Sequence, residues 1–512
     1  MRVCLINPPS IKKRPVSRSM AGGLGFDSSE EMVLPPIDLA ILASRLREAG
    51  MDIDLIDGDA LGCSESGVLQ QLDKSYDWIV SLVSLPTVQN DCQFAASLKT
   101  KAKKIAVKTA VQDYEILEKI LVKSRADVVI YAECDLHIDQ ILNGTTVSGI
   151  AYFDNQGKFV FHDADYIENL DSIPQPARDL LPNEKYSYPL LGNGITTLQT
   201  SRGCPFPCSY YCPYPLVEGK SWRYQSAERV YNEIEALVRR FGIQKILFRD
   251  AVFTLDRKRV DSICDMIIQN KLDITWWCET RVDCLDEHLV EKMKHAGCLG
   301  INIGVETGDE EVMKHEAKSG LTLEKLRKLR DKAYEIGMKL HFLLSIGFPQ
   351  ETKKSIVDTF DLIRMLRPDS LGITVITPYP GTPLYVKAKR KGWIESYDWR
   401  DYGGHQIVMH TDNLSRSDIA IALDFLYKGY ELMKMKSAGS SGKISSAEED
   451  LYRELLAWAC DLSYLRKRLI IEKNILYKAY TISKRELRSI LDRCHVLIKN
   501  IMPPFIIESR SK

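Results

Sequence analysis

Two successive series of short apolar runs, each run separated from the next by a helical pattern, narrow the fold of this chain more than any other feature. The first series passes through Val3 to Asn7, Asp38 to Ala49, Ile53 to Asp57, Trp78 to Val83, Lys104 to Val107 and Val128 to Tyr131. Such a rhythm specifies α/β architecture, a parallel sheet flanked by crossover helices. The series restarts at Gly194, with strands expected at Ile195 to Gln199, Lys245 to Asp250, Ile274 to Glu279, Gly300 to Glu306, Lys339 to Gly347 and Ser370 to Thr377. Between them Ala227 to Arg240, Arg257 to Asn270, Leu323 to Gly337 and Thr352 to Leu366 carry apolar residues at three- and four-residue steps, the period of an amphipathic helix. Six strands of this kind make a partial barrel, and parallel strands joined by helices offer ligands their C-terminal ends.

A chain of 512 residues exceeds one hydrophobic core. The expected order is a Rossmann-like α/β domain over 1–165, a linker over 166–193 that includes Pro174, Pro176 and Pro182, a (β/α)6 partial barrel over 194–400 and a mainly helical region over 401–512. Within that last region Ser437 to Ser445 has linker composition, and Glu448 to Lys499 is expected to form a helical cap. Sixty-nine basic side chains balance 69 acidic ones, which leaves no global field to draw in nucleic acid or an anionic membrane and favours a small-molecule substrate. Met1 to Pro9 lacks the pattern of a signal peptide, and no apolar run is long enough to span a bilayer. Thirteen cysteines in such a chain suit reduced thiols with a few metal ligands better than a disulfide framework, and the expected location is cytoplasmic.

The loop Ser201-Arg-Gly-Cys204-Pro-Phe-Pro-Cys208-Ser-Tyr-Tyr-Cys212-Pro follows the first strand of the second series. Three thiolates in one short loop can hold three irons of a [4Fe-4S] cluster and leave the fourth iron open, whereas zinc prefers four closed ligands and this stretch has no His or paired Cys-x-x-Cys. An open iron chelates the amino and carboxylate groups of S-adenosylmethionine (SAM), so that one electron breaks its S–C5′ bond. No His-x-x-x-His pair suggests a second metal.

With this loop, the stretches Leu247-Phe-Arg-Asp250, Trp277-Cys-Glu-Thr-Arg281, Gly304-Val-Glu-Thr-Gly308, Gly347-Phe-Pro-Gln-Glu-Thr352 and Pro378-Tyr-Pro-Gly-Thr-Pro383 resemble, in order, the strand-end motifs of radical SAM enzymes. The resemblance implies that Cys204, Cys208 and Cys212 are the metal ligands and catalytic residues. It also implies that Glu306, Gly304, Asp250, Arg281, Gly347 and Pro349 surround SAM, with Glu306 at the ribose hydroxyls, and that Tyr379 faces the substrate. Gly304 and Gly308 bracket Glu306 and would let a ligand approach the backbone closely, while Asp250 and Arg281 could equally pair with each other or with a helix. A flavodoxin- or ferredoxin-type one-electron reductase is the implied partner. The family's usual cysteine spacing is three residues then two; here it is three and three, similar to the spacing in radical SAM dehydratases that deoxygenate aminoglycosides.

Asn7-Pro8-Pro9, Leu34-Pro-Pro-Ile-Asp-Leu-Ala40 and Asp54 to Asp57 resemble the cobalamin-binding domain that precedes the barrel in one radical SAM subfamily. That resemblance implies a corrinoid and methylation of an unactivated carbon. The glycine pair expected after the fourth strand is replaced by Val107-Lys-Thr-Ala-Val-Gln-Asp113, whose side chains would crowd a corrin tail. Cobalamin binding stays open between these two observations, and so does the reaction: C-methylation with cobalamin, dehydration or deoxygenation without it. The alternative from another class is a non-catalytic iron-sulfur or corrinoid-binding sensor module.

Overall fold

Both apolar series fold as parallel sheets. The computed structural model describes residues 1–10, 14–19, 24–27, 32–315, 320–437 and 446–460; of the expected linker Ser437 to Ser445, Ser437 ends a helix and the rest lies outside the described residues, as does the part of the expected helical cap beyond 460. The first sheet contains β1 (Arg2–Asn7), β2 (Asp52–Asp57), β3 (Tyr76–Val83), β4 (Ala102–Thr109), β5 (Val128–Ile130), β6 (Ile150–Phe153) and β7 (Phe159–Phe161), in the order β2-β1-β3-β4-β5-β6-β7. The first five strands are parallel. Val3 and Leu5 of β1 pack on one face, with α1 (Ile37–Glu48), while Cys4 and Ile6 pack on the other. Burial on both faces is why these strands appear in the sequence as continuous apolar runs. Strands β6 and β7 add an antiparallel hairpin that the sequence reading did not include. Its turn is Asp154-Asn-Gln-Gly157-Lys158, in which Gly157 donates its N–H to the Asp154 carbonyl.

The second sheet runs β8 (Ile195–Leu198), β9 (Lys245–Phe248), β10 (Thr275–Thr280), β11 (Cys298–Glu306), β12 (Lys339–Ile346) and β13 (Ser370–Val375), all parallel and in chain order. The crossover helices include α2 (Ala227–Phe241), α3 (Arg257–Gln269), α4 (Glu287–His295), α5 (Leu323–Glu335) and α6 (Lys353–Leu366). They begin on Ser226, Asp256, Asp286, Thr322 and Thr352, whose side-chain oxygens accept a backbone N–H of the first turn, the caps expected of such residues. The architecture is therefore a Rossmann-like sheet followed by a six-stranded partial barrel.

The described residues within 1–306, 310–348 and 368–411 form one unit that contains both sheets. Of the remaining described residues, 307–309, 349–367, 412–437 and 446–460 form a second, in which α6 packs with α7 (Arg416–Ser437) and α8 (Ser446–Ala459). Phe360 of α6 stacks on Tyr452 at 5.7 Å, and Arg364 lies over the same ring at 4.4 Å. No helix among the described residues is long and apolar enough to cross a membrane.

Candidate active site

The cysteine loop begins where β8 ends, and buried charges fix its root. Asp250, two positions past the end of β9, accepts hydrogen bonds from Thr200 N (2.8 Å), Thr200 Oγ1 (3.0 Å), Ser201 Oγ (2.8 Å) and Ser201 N. Arg259 of α3 donates to the Thr200 and Gln225 carbonyls at 3.0 and 2.7 Å. Both carboxylate oxygens of Asp250 are thus engaged within the chain, so the residue sets the direction in which the loop leaves the sheet. Burial raises the Asp250 carboxyl above the usual range, while Arg259 and the Ser201 and Thr200 donors pull it back.

Gly203 then turns the loop with φ +82°, and a Cβ there would lie 2.1 Å from the Ser221 carbonyl oxygen. No other residue fits that turn without moving the backbone. Cys204 N donates to Gly219 O at 3.1 Å, and Cys212 N donates to Cys208 O at 3.1 Å across a short 3-10 turn, Pro207–Tyr210. Cys204 and Cys208 are buried and Cys212 is half-buried. Among the described residues no three His, Cys, Asp or Glu side chains are grouped as for a single metal ion.

Other predicted residues come close to this loop. Arg281, just past β10, holds Asp283 through paired hydrogen bonds of 2.9 and 2.8 Å and lies 3.8 Å from the centre of the Phe206 ring, between the first two cysteines. It is 7% exposed, and its Nη1 is buried without a hydrogen-bond partner. Burial works against its charge, but Asp283 and the Cys208 and Cys284 thiols hold its proton in place. Tyr379 lies beside the last cysteine; burial first, then Cys212, pushes its phenol up to about 12. Phe348, between Gly347 and Pro349, meets Tyr211 edge-on at 5.2 Å, and Gly347 takes φ +99°. Pro349 belongs to the second unit.

Glu306 closes β11 with φ +68°. A left-handed conformation is costly for a residue with a side chain and marks sites where the surroundings hold strain. The register of β11 against β12 shifts between Gly304 and Glu306, and the Ser345 hydroxyl of β12 donates to Glu306 Oε2 at 2.8 Å. Ser345 in turn lies 3.2 Å from Thr374 Oγ1 of β13. Gly308, expected to open space for a ligand, instead admits α6 in the second unit: a Cβ there would lie 2.4 Å from Asp358 O.

Three features escaped the sequence reading. Arg202 pairs with Asp135 in two hydrogen bonds of 2.8 and 3.0 Å, and Arg223 pairs with Glu133 in two of 2.8 Å, all four residues being buried. These pairs join the end of β5 to the cysteine loop. Cys284 packs with Cys204 and Val252 in a small buried cluster. Arg18 lies buried at the crest of the first sheet. Isolated charges distant in sequence carry no periodic signal, although the Arg next to Gly203 was visible in the loop itself.

A cysteine loop thus leaves the ligand-binding edge of a parallel partial barrel, with the strained Glu306 and the unmet Arg281 N–H on neighbouring strand ends, in a fold of the α/β class. Residues 198–363, which hold most of the barrel, match the Radical SAM superfamily. Among curated relatives, a Pyrococcus horikoshii protein named an uncharacterized methyltransferase is 28% identical over 84% of this chain and 93% of its own length. The anaerobic magnesium-protoporphyrin IX monomethyl ester cyclase of Rubrivivax gelatinosus is also 28% identical, over 57% of this chain and 52% of that protein. Among solved structures, the radical SAM methyltransferase TsrM of Kitasatospora setae, with cobalamin and a [4Fe-4S] cluster bound, gives a TM-score of 0.65 at 14% identity, covering 90% of this chain and 99% of that one. The cobalamin-dependent radical SAM enzyme OxsB gives 0.66 at 15%, covering 98% and 80%. At such identities the likeness is one of fold, and it extends through the N-terminal domain.

The donor set fits an iron-sulfur cluster and SAM, with soft thiolates on one loop and an unpartnered buried guanidinium N–H beside them. The crest of the first sheet does not fit a corrin tail. Arg18 donates from Nε and Nη2 to Asp91 at 3.0 and 2.9 Å and from Nη1 to Asn7 Oδ1 and Pro8 O at 3.2 and 3.0 Å. Lys108 at the end of β4 is 4% exposed, with Nζ 3.4 Å from Ala132 O and 3.9 Å from Cys134 Sγ.

Proposed function

We propose that Cys204, Cys208 and Cys212 hold the cluster, that SAM binds across the C-terminal ends of the barrel strands, and that the enzyme removes a hydrogen atom from a small polar metabolite. The observation that carries this reading is the cysteine loop itself, turned by Gly203 and rooted by Asp250 at the edge where parallel sheets bind ligands. When bound, a [4Fe-4S] cluster supplies the electron that cleaves SAM to methionine and a 5′-deoxyadenosyl radical.

The chain's own residues do the positioning. Glu306 presents a carboxylate from a strained backbone, with Oε2 already oriented by Ser345; it is suited to accept both ribose hydroxyls of SAM. Arg281 offers its free N–H to an anion beside Cys208, with Phe206 and Asp283 fixing the plane of the guanidinium. Tyr379, next to Cys212, keeps its proton at neutral pH and gives the substrate side a hydrogen-bond donor. The electron comes from a flavodoxin- or ferredoxin-type protein.

Two outcomes for the substrate are supported. The methyltransferase name of the P. horikoshii relative, which matches most of both chains, supports C-methylation. The three-and-three cysteine spacing and the closed N-terminal crest support loss of a hydroxyl as water, with a final one-electron reduction. Anaerobic reconstitution, reduction with dithionite and chromatography for 5′-deoxyadenosine test the shared step; a fully loaded four-iron protein that forms none would overturn it. With deuteriomethyl-labelled SAM and candidate diols, a labelled methyl group in the product indicates methylation, and a product lacking one oxygen indicates deoxygenation.

A further inference from the structure

The order β2-β1-β3 places the reversal of the first sheet between β1 and β3. Doubly wound sheets bind ligands outside the carboxyl ends of their strands at such a reversal. Arg18 fills that position. Its guanidinium bridges Asn7 and Pro8, at the end of β1, to Asp91, which also accepts from Ser84 N, directly after β3, at 3.1 Å. Asn7 donates to Asp57 at the end of β2 at 2.8 Å, and Tyr186 closes the other Asp57 oxygen at 2.9 Å. Leu24 O accepts from Leu85 N, and Gly25 lies so close to Ser84 that a Cβ would meet the Ser84 Cβ at 2.5 Å. Residues from the segment after β1 therefore sit where a ligand would enter. Lys108 closes the end of β4 in the same way; burial works against its charge, but Cys134, Asp38 and Asp135 hold the proton on it.

A nucleotide tail entering this crest would have to separate Arg18 from Asp91 and leave a buried carboxylate unpaired, which is strongly unfavourable. The same domain has a different attachment. From the end of β5, Asp135 and Glu133 reach the cysteine loop and grip Arg202 and Arg223 in two-point contacts, with Arg202 also 3.5 Å from Glu133. Arg223 further donates to the carbonyls of Ile167 and Glu218 at 2.7 and 2.6 Å, and Glu218 accepts from Gly203 N at 3.2 Å. The planar guanidinium fork fixes orientation as well as distance.

We infer that the N-terminal domain binds no corrinoid at its crest and acts as an internal brace that holds the cysteine loop, through Asp135 and Glu133, in the shape a cluster requires. The brace rests on the proposed cluster site; the closed crest does not.

Two measurements on the full-length protein test the two halves. Anaerobically reconstituted protein incubated with excess hydroxocobalamin and passed through gel filtration should show no corrinoid absorption; co-elution approaching one equivalent overturns the closed crest. Asp135→Asn and Glu133→Gln, both close in shape to the native residues, should lose iron several-fold on gel filtration while keeping the wild-type circular dichroism. Full iron retention in both variants overturns the brace. Because neither readout uses SAM cleavage, a wild-type protein that keeps its iron, excludes corrinoid and forms no 5′-deoxyadenosine leaves this inference standing and overturns the proposed function alone.

Discussion

At the crest of the N-terminal sheet the buried charges have partners within the chain, Arg18 with Asp91 and Asn7 with Asp57. At the crest of the barrel, by contrast, Glu306 sits in a left-handed conformation and Arg281 keeps a buried N–H without an acceptor. Both sheets are parallel, and the same rule directs ligands to both crests. A satisfied edge gains nothing from a ligand and loses ion pairs to admit one, whereas an edge with an unmet donor gains a bond when an anion arrives. The difference separates the proposed scaffold from the proposed reactive site more sharply than the fold does, since the fold offers two candidate crests.

The strongest way to break this contrast is at the thiolates. Cys204→Ala, Cys208→Ala and Cys212→Ala should each lower cluster content and bring 5′-deoxyadenosine formation to background, as read by iron quantitation and chromatography; a variant with full iron removes its residue from the ligand set. Next in size, Glu306→Gln should weaken SAM binding about tenfold in equilibrium dialysis, the loss expected for a hydrogen bond to a charged group, with iron content unchanged. An unaltered Kd would put the strain at this strand end outside SAM recognition.

A smaller effect probes the brace. Arg202 overrides the effect of burial and holds the Asp135 carboxyl at about 2, below the ordinary aspartate value of about 3.9. A group with a depressed folded pKa contributes stability that is complete above the unfolded value and lost as pH falls through the folded one. Asp135 should therefore contribute on the order of 2 kcal/mol above about pH 4, disappearing toward pH 2. Asp135→Asn should flatten that part of the profile in denaturant unfolding of the apoprotein; an identical acid profile would deny the pair this role. The smallest effect sharpens the strain argument: Glu306→Gly should raise stability by about 1 kcal/mol, because glycine takes the left-handed conformation freely, while SAM binding falls. A loss of stability instead would show that the Glu306 contacts outweigh its backbone strain.

The barrel was legible because its strands appear as short, mainly apolar runs that alternate with helical patterns, so that Lys339 to Gly347 was expected where β12 spans Lys339–Ile346. The hairpin β6–β7 was missed because each strand is short, although the Asp-Asn-Gln-Gly turn signalled it. Within the site the cysteine loop was plain, but Asp250 gave no sign that its oxygens are engaged by Thr200 and Ser201. Arg202 and Asp135 are 67 residues apart, and nothing in a single sequence couples two charges at that separation. Gly308 was read as room for a ligand when it is room for a helix, since close approach requires the same residue in either case.

The helix that links the fifth and sixth barrel strands, α6, is grouped with α7 and α8. Ile356, Phe360 and Ile363 are fully buried, and Tyr452 and Glu448, both from the segment beyond residue 445, cover Phe360 and Arg364. A shortened protein ending at residue 411 would strip that cover from α6, a crossover between two strands of the second sheet. The helices α7 and α8 are therefore no detachable appendage: expression trials that trim them should yield aggregated material rather than a minimal barrel.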